Sequence, residues 1–245
     1  MGHIQQHAEM DVDGAMLVEG MPGVGLVGKI ATDHLVDEFD MELYGTVHCD
    51  SLAPIGVYHE GERTIQPPVR IYAAPDEDLV ALQSDIPVNS AAVAEFADCL
   101  VSWLDEENVT PIFLSGLPAE KSGVPELFGI ATGDAGGQLD DVDIDVPPEN
   151  GVVSGPTGAF LNEAGEVGLD GVGLVVQSNE RFPDPEAARV LIEHGIGTLT
   201  GIEVDISELV DRAEEIRKQK EKLAEKMRKA KDEESSQAQP LRMYQ

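Results

Sequence analysis

Apolar residues along this 245-residue chain fall into short runs that alternate with amphipathic stretches, the rhythm of strands interleaved with helices. The first run, residues 15–19 (AMLVE), predicts a strand. A glycine-rich turn follows, then a helix over residues 26–38 whose stripe through Ala31 and Leu35 continues to Val36 and Phe39. Strands are predicted at 42–48, 55–59, 69–73 and 79–83, punctuated by Pro67-Pro68 and Pro75-Asp76. Between residues 89 and 107, Val93, Phe96, Ala97, Leu100, Val101 and Leu104 share one helical face, with Asn89 or Ser90 as a cap. Residues 110–115 (TPIFLS) form a buried strand.

Residues 116–150 are rich in Gly, Pro and Asp, and the alternation at 140–145 (DDVDID) fits an exposed edge strand. A helix opening near Pro156, a strand at 172–177 and a helix over 185–194 complete the pattern. This order defines an α/β fold, a three-layer α/β/α domain around a mainly parallel sheet. From Ile206 the pattern changes to a heptad. Ile206, Ala213, Lys220 and Met227 form one set and Leu209, Ile216, Leu223 and Ala230 the other, a weak coiled-coil seam because of Lys220 and the two alanines. The expected organisation is a core domain over 1–205, a charged C-terminal helical extension over 206–233 and a flexible tail over 234–245.

Charge sharpens this division. Residues 1–205 carry 38 acidic but only six basic residues (Lys29, Arg63, Arg70, Lys121, Arg181, Arg189), whereas 206–245 carry ten basic and nine acidic ones. Such an acidic shell reads as adaptation to a high-salt cytoplasm, where a Debye length of about 3 Å at 1 M salt damps self-repulsion. It disfavours nucleic acid and anionic membrane as partners. With no run of 18 apolar residues, the protein is expected to be soluble and cytoplasmic. Cys49 and Cys99 are the only cysteines, without C-x-x-C spacing, which argues against structural zinc and a disulfide framework.

Gly23, Gly25 and Gly28 satisfy G-x-G-x-x-G between a strand and a helix, with Asp50 about twenty residues on, at the end of a second strand. The same stretch, with Lys29, nearly satisfies a P-loop, but Ile30 stands where a hydroxyl should hold magnesium. Two readings stay open. The loop binds a nucleotide or nucleoside in a small-molecule enzyme, a ligase or phosphorylase-like catalyst, or its glycines serve a tight turn and close helix–sheet packing. Ser154 and Thr157 beside a helix start read as turn and cap chemistry, and Asp140, Asp141, Asp143 and Asp145 as a solvated acidic loop. The six histidines form no metal-binding pair, so neither metal nor cofactor is expected, and no catalytic motif appears.

The final residues, Met243-Tyr244-Gln245, are hydrophobic–Tyr–any residue before a carboxylate. A tyrosine gains by lodging in a pocket, where it combines apolar area with a hydroxyl handle. These features, with Glu19-Gly20-Met21-Pro22-Gly23-Val24-Gly25-Leu26-Val27-Gly28, Ala53-Pro54-Ile55 and Pro183-Asp184-Pro185-Glu186-Ala187-Ala188, resemble the archaeal members of the proteasome assembly chaperone family. The resemblance implies a nucleoside-phosphorylase-like fold without the catalytic machinery, hence not an enzyme. It also implies a homo-oligomer whose tails reach the α-ring of the proteasome core particle, with Met243, Tyr244 and Gln245 as docking residues. In that family pattern Gly23, Gly25 and Gly28 are a structural loop.

Overall fold

Alternating side chains along the central strands bury on both sides of one sheet, which forces helices onto both faces. The computed structural model describes residues 2–50, 52–59, 61, 63–119 and 123–210. These contain strands β1 (His3–Gln6), β2 (Met16–Gly20), β3 (Glu42–His48), β4 (Val69–Ala74), β5 (Leu79–Ser84), β6 (Thr110–Pro118), β7 (Leu127–Thr132) and β8 (Gly171–Ser178). Their order in the sheet is β1-β3-β4-β5-β2-β6-β8-β7. The helices are α1 (Val27–Glu38), α2 (Val93–Glu106), α3 (Gly136–Asp141), α4 (Gly155–Val167) and α5 (Pro185–Val190). The last continues through a π-helical turn (Leu191–Ile196) into α6 (Gly197–Thr200).

On one face Val18, Ala81, Ile112 and Leu174 pack against Ala31 and Leu35 of α1 and Ala187 and Ala188 of α5. On the other, Leu17, Leu82 and Phe113 meet Phe96 and Leu100 of α2 and Phe160 of α4. Phe160 sets its ring edge-on to Phe96 at 5.0 Å and stacks over Phe113 at 6.1 Å, so one aromatic joins both helices to the sheet.

The sheet is mixed rather than mainly parallel. β2 pairs in parallel with β5 and β6, and β6 with β8. The pairs β1–β3, β3–β4, β4–β5 and β7–β8 are antiparallel. Only residues 75–78 separate β4 from β5, enough for a hairpin but far too few for a crossover. Three local expectations also change. Residues 55–59 contribute only an isolated bridge between Val57 and Gln66. The edge strand of the 116–150 region is β7, not 140–145, where Asp140 and Asp141 end α3 and Asp143 turns the chain at φ +55°. Finally, β1 lies in the polar N-terminal stretch, where Ile4 is the lone apolar residue of HIQQ.

The helix predicted over 185–194 runs on to Thr200 and stops at Gly201, whose φ of +76° closes the turn. Beyond it, Leu209 is fully buried and Ile206 packs beside it on the α1–α5 side of the sheet. His34 of α1 holds the carbonyl of Asp205 at 2.7 Å. The first two heptad positions therefore face the domain itself. The rest of the helix expected over 206–233, and the tail over 234–245, lie outside the described residues.

Candidate functional site

The glycine turn leaves the C-terminal end of β2 beneath a seam formed by β6 and β8. Gly25 takes φ +64° and Leu26 φ +52°, a left-handed pair that swings the chain into α1. The backbone approach that Gly25 permits is occupied. A Cβ there would overlap Ser178 Oγ and stand 3.2 Å from Asp184 Cβ, while the Gly25 carbonyl accepts from Asp184 N at 2.8 Å. Asp184 also accepts from Asn179 N at 2.8 Å and caps α5 through Ala187 N at 3.3 Å. A Cβ on Gly116 would overlap the Val24 carbonyl, and Gly28 lies close over Glu19 O and Leu114. Gly23 alone of the three loop glycines is exposed and open. Two of the sequence stretches that carry the family resemblance, the glycine turn and Pro183-Asp184-Pro185, thus meet in space.

Beneath the turn lies Glu19, with no exposed surface. Its carboxylate accepts from Met21 N at 3.1 Å, Leu114 N at 3.1 Å and, through both oxygens, Thr157 Oγ1 at 3.1 Å, linking β2 and β6 to the first turn of α4. Burial outweighs these three donors and raises its pKa from 4.5 to about 7. The folded protein therefore holds this proton more tightly than the unfolded chain. The resulting stabilisation is complete below pH 4.5 and is lost as pH rises through about 7. It amounts to about 3 kcal/mol. In Glu19→Gln that fall disappears, which urea-unfolding midpoints measured at intervals from pH 4.5 to pH 8 in constant salt would show. A variant that loses stability over this window as steeply as the parent would refute the assignment.

The neighbouring cluster gathers two of the six basic residues of the 1–205 region. Arg70 is 1% exposed and donates to Asp85 Oδ2 at 2.6 Å, Tyr72 Oη at 2.8 Å, Pro67 O at 2.9 Å and Gln83 Oε1 at 3.2 Å. Gln83 passes the chain on to Asp33 at 2.7 Å. Lys29 completes it, 2.9 Å from Asp33 and 3.6 Å from Asp85. The lysine that a P-loop aims at phosphates is here engaged by two carboxylates. Asp50 lies two residues beyond β3, which β4 and β5 separate from β2, so three strand spacings, roughly 14 Å across the sheet, part it from the glycine turn. The dinucleotide fingerprint is not assembled.

Thr157 serves Glu19, as described, and Ser154 starts α4 without a side-chain capping bond. Asp145 contributes its backbone carbonyl to Gly129 N at 2.8 Å. No group of three potential metal ligands occurs among the described residues, and no helix there is long and apolar enough to cross a membrane. Sequence reading missed a polar edge on β1 and β3. His3 stacks on His48 at 5.2 Å, and the Thr46 hydroxyl lies 2.9 Å from both His7 Nε2 and His48 Nε2. Burial, then His3 and His7, push the His48 pKa down. A cavity of about 670 Å³ opens beside this edge, lined by His3, His48, Cys49, Asp50, Ala53 and Pro54 among others. Met243, Tyr244 and Gln245 lie outside the described residues.

An eight-stranded mixed sheet carries a glycine turn sealed by Asp184, with the buried Glu19 under it. The chain belongs to the PAC2 family, which it matches over residues 17–224. Among solved structures it is similar to PbaA of Pyrococcus furiosus, an archaeal homolog of proteasome-assembly chaperone. The identity is 28%, with 96% of this chain and 97% of that one covered and a TM-score of 0.81. PbaB of the same organism, an archaeal proteasome activator, shares the fold at 21% identity, with 91% and 98% covered and a TM-score of 0.78. A protein of Methanocaldococcus jannaschii is 28% identical over 222 residues, 90% of each chain.

Proposed function

We propose that this protein is a non-enzymatic proteasome assembly factor or core-particle activator that docks on the α-ring through Met243, Tyr244 and Gln245. The observation that carries this reading is its PAC2 membership together with 28% identity, over 96% of the chain, to an archaeal homolog of proteasome-assembly chaperone. The C-terminal sequence supplies the means. Tyr244 would fill a pocket between neighbouring α subunits, with Met243 adding apolar contact and the end of the chain pairing with a cation or backbone N–H groups. One such tail binds weakly. Several on a homo-oligomer raise the effective concentration to about the millimolar scale.

The near-neutral charge of residues 206–245 supports this reading, since an acidic tail would be repelled by an equally acidic partner. The alternative, a nucleotide- or nucleoside-dependent enzyme, is disfavoured by the engagement of Lys29 with Asp33 and Asp85 and by the contacts that occupy Gly25. Co-purification of the source cell's core particle in high salt tests the proposal. Tyr244→Ala, or removal of residues 243–245, is expected to reduce capture at least tenfold, a difference of about 1.4 kcal/mol or more. Equal capture by the parent and both variants would reject the docking role.

A further inference from the structure

Positions 49 and 99 hold the only two cysteines of the chain, and the fold brings them together. Cys49 immediately follows β3, and Cys99 lies on the second turn of α2, the helix that covers the β1 side of the sheet. Both are free thiols and both keep partial exposure. A Cβ built on Gly2 would stand 3.0 Å from Cys49 Sγ, 3.3 Å from Cys99 Sγ and 2.9 Å from Cys99 Cβ, so both sulfurs border one atom-sized space. The thiols share a hydrogen bond, and no other thiol competes for either.

From this juxtaposition we infer that Cys49 and Cys99 are a redox-responsive pair that closes to an intramolecular disulfide when it meets a low-molecular-weight disulfide. The inference is independent of the tail and of its docking. The hydrogen bond from Cys49 lowers the pKa of Cys99, which makes Cys99 the attacking sulfur, although Glu95 and Asp98 oppose its charge. Cys99 Sγ attacks one sulfur of the oxidant RSSR, breaks its S–S bond and expels RS⁻, which takes up a proton. Cys49 then loses its proton to solvent, and its sulfur attacks Cys99 Sγ in the mixed disulfide and expels the second RS⁻. Two protein thiols are oxidised to one disulfide, and one RSSR is reduced to two RSH.

The loop so closed contains β4, β5 and the segment that lines the cavity beside His48. Oxidation would therefore fasten the β3–β4–β5 side of the sheet to α2. It would also fix one wall of that cavity, because Cys49 itself lines it. A bond across a loop of this length mainly restricts the unfolded chain.

The full-length protein, reduced and then held in high salt with glutathione disulfide, tests this directly. After alkylation, the intact mass of the parent is expected to lack two hydrogens and carry no alkyl group. Its melting temperature should rise by roughly 8 °C or more, and dithiothreitol should reverse both changes. Cys49→Ser should stop at a glutathione adduct on Cys99, since no second thiol can resolve it. A parent protein that keeps two alkylatable thiols, stops at the mixed disulfide or links to a second chain would overturn the inference.

Discussion

Asp85→Ala is expected to destabilise the fold by about 3 kcal/mol, because it strands the charge of Arg70 in the interior. The guanidinium is almost wholly buried, and Asp85 is the carboxylate bonded to it, at 2.6 Å. With Asp85 gone, Tyr72, Pro67 and Gln83 remain as neutral acceptors, and Lys29 loses one of its two carboxylates. Asp85 itself keeps 19% side-chain exposure, so water can enter the gap and hold the loss near the lower end of the range for buried pairs. Burial alone would raise the Asp85 pKa. The Arg70 hydrogen bond and charge, with help from Lys29 and His59, hold it below its ordinary value of 3.8 instead. Its contribution is thus present above pH 3.8 and is lost as pH falls through the lower folded value, the opposite sense to Glu19. Urea unfolding at pH 7 in constant salt measures the effect, and a loss under about 1 kcal/mol would show that the network adds little. The double variant Arg70→Met/Asp85→Leu, which removes both charges, should recover most of the stability.

Gly25→Ala is expected to cost about 3 kcal/mol without any ligand present. A left-handed φ of +64° costs an alanine about 1–2 kcal/mol. The new methyl group also displaces Ser178, which is fully buried and bonded to Asp184 at 3.4 Å, for about 1–3 kcal/mol more. Combining it with Ser178→Gly removes the overlap and leaves mainly the backbone cost, so the two changes should couple by at least about 1 kcal/mol. The same unfolding measurement separates the two readings of the turn. If the glycine served only to admit a ligand, the single variant would melt with the parent.

These two sites show what a linear reading could reach. The central strands and the helices between them were legible because Val18, Ile112 and Leu174 belong to runs flanked by helical stripes. Parallel order was over-read because alternation states which face a residue takes and not which strand lies beside it. β1 escaped because its pairing with β3 is backbone chemistry, written through one apolar side chain, Ile4. The resemblance carried by the glycine turn and Pro183-Asp184-Pro185 holds at the family level. Their contact could not be read from residues more than 150 positions apart. The Cys49–Cys99 pair spans 50 positions, and the Arg70 cluster joins the β4–β5 hairpin to α1 through Gln83 and Asp33, so neither is written in the local pattern of either element.

Leu209 gives the C-terminal region a mechanical character. It is seated in the apolar layer, and four residues earlier the Asp205 carbonyl is latched to His34. A pull exerted from beyond residue 210 would first load these two fastenings, and through them α1 and the central strands. The body would answer traction on its end as a braced lever, not as a weight hung on a swivel.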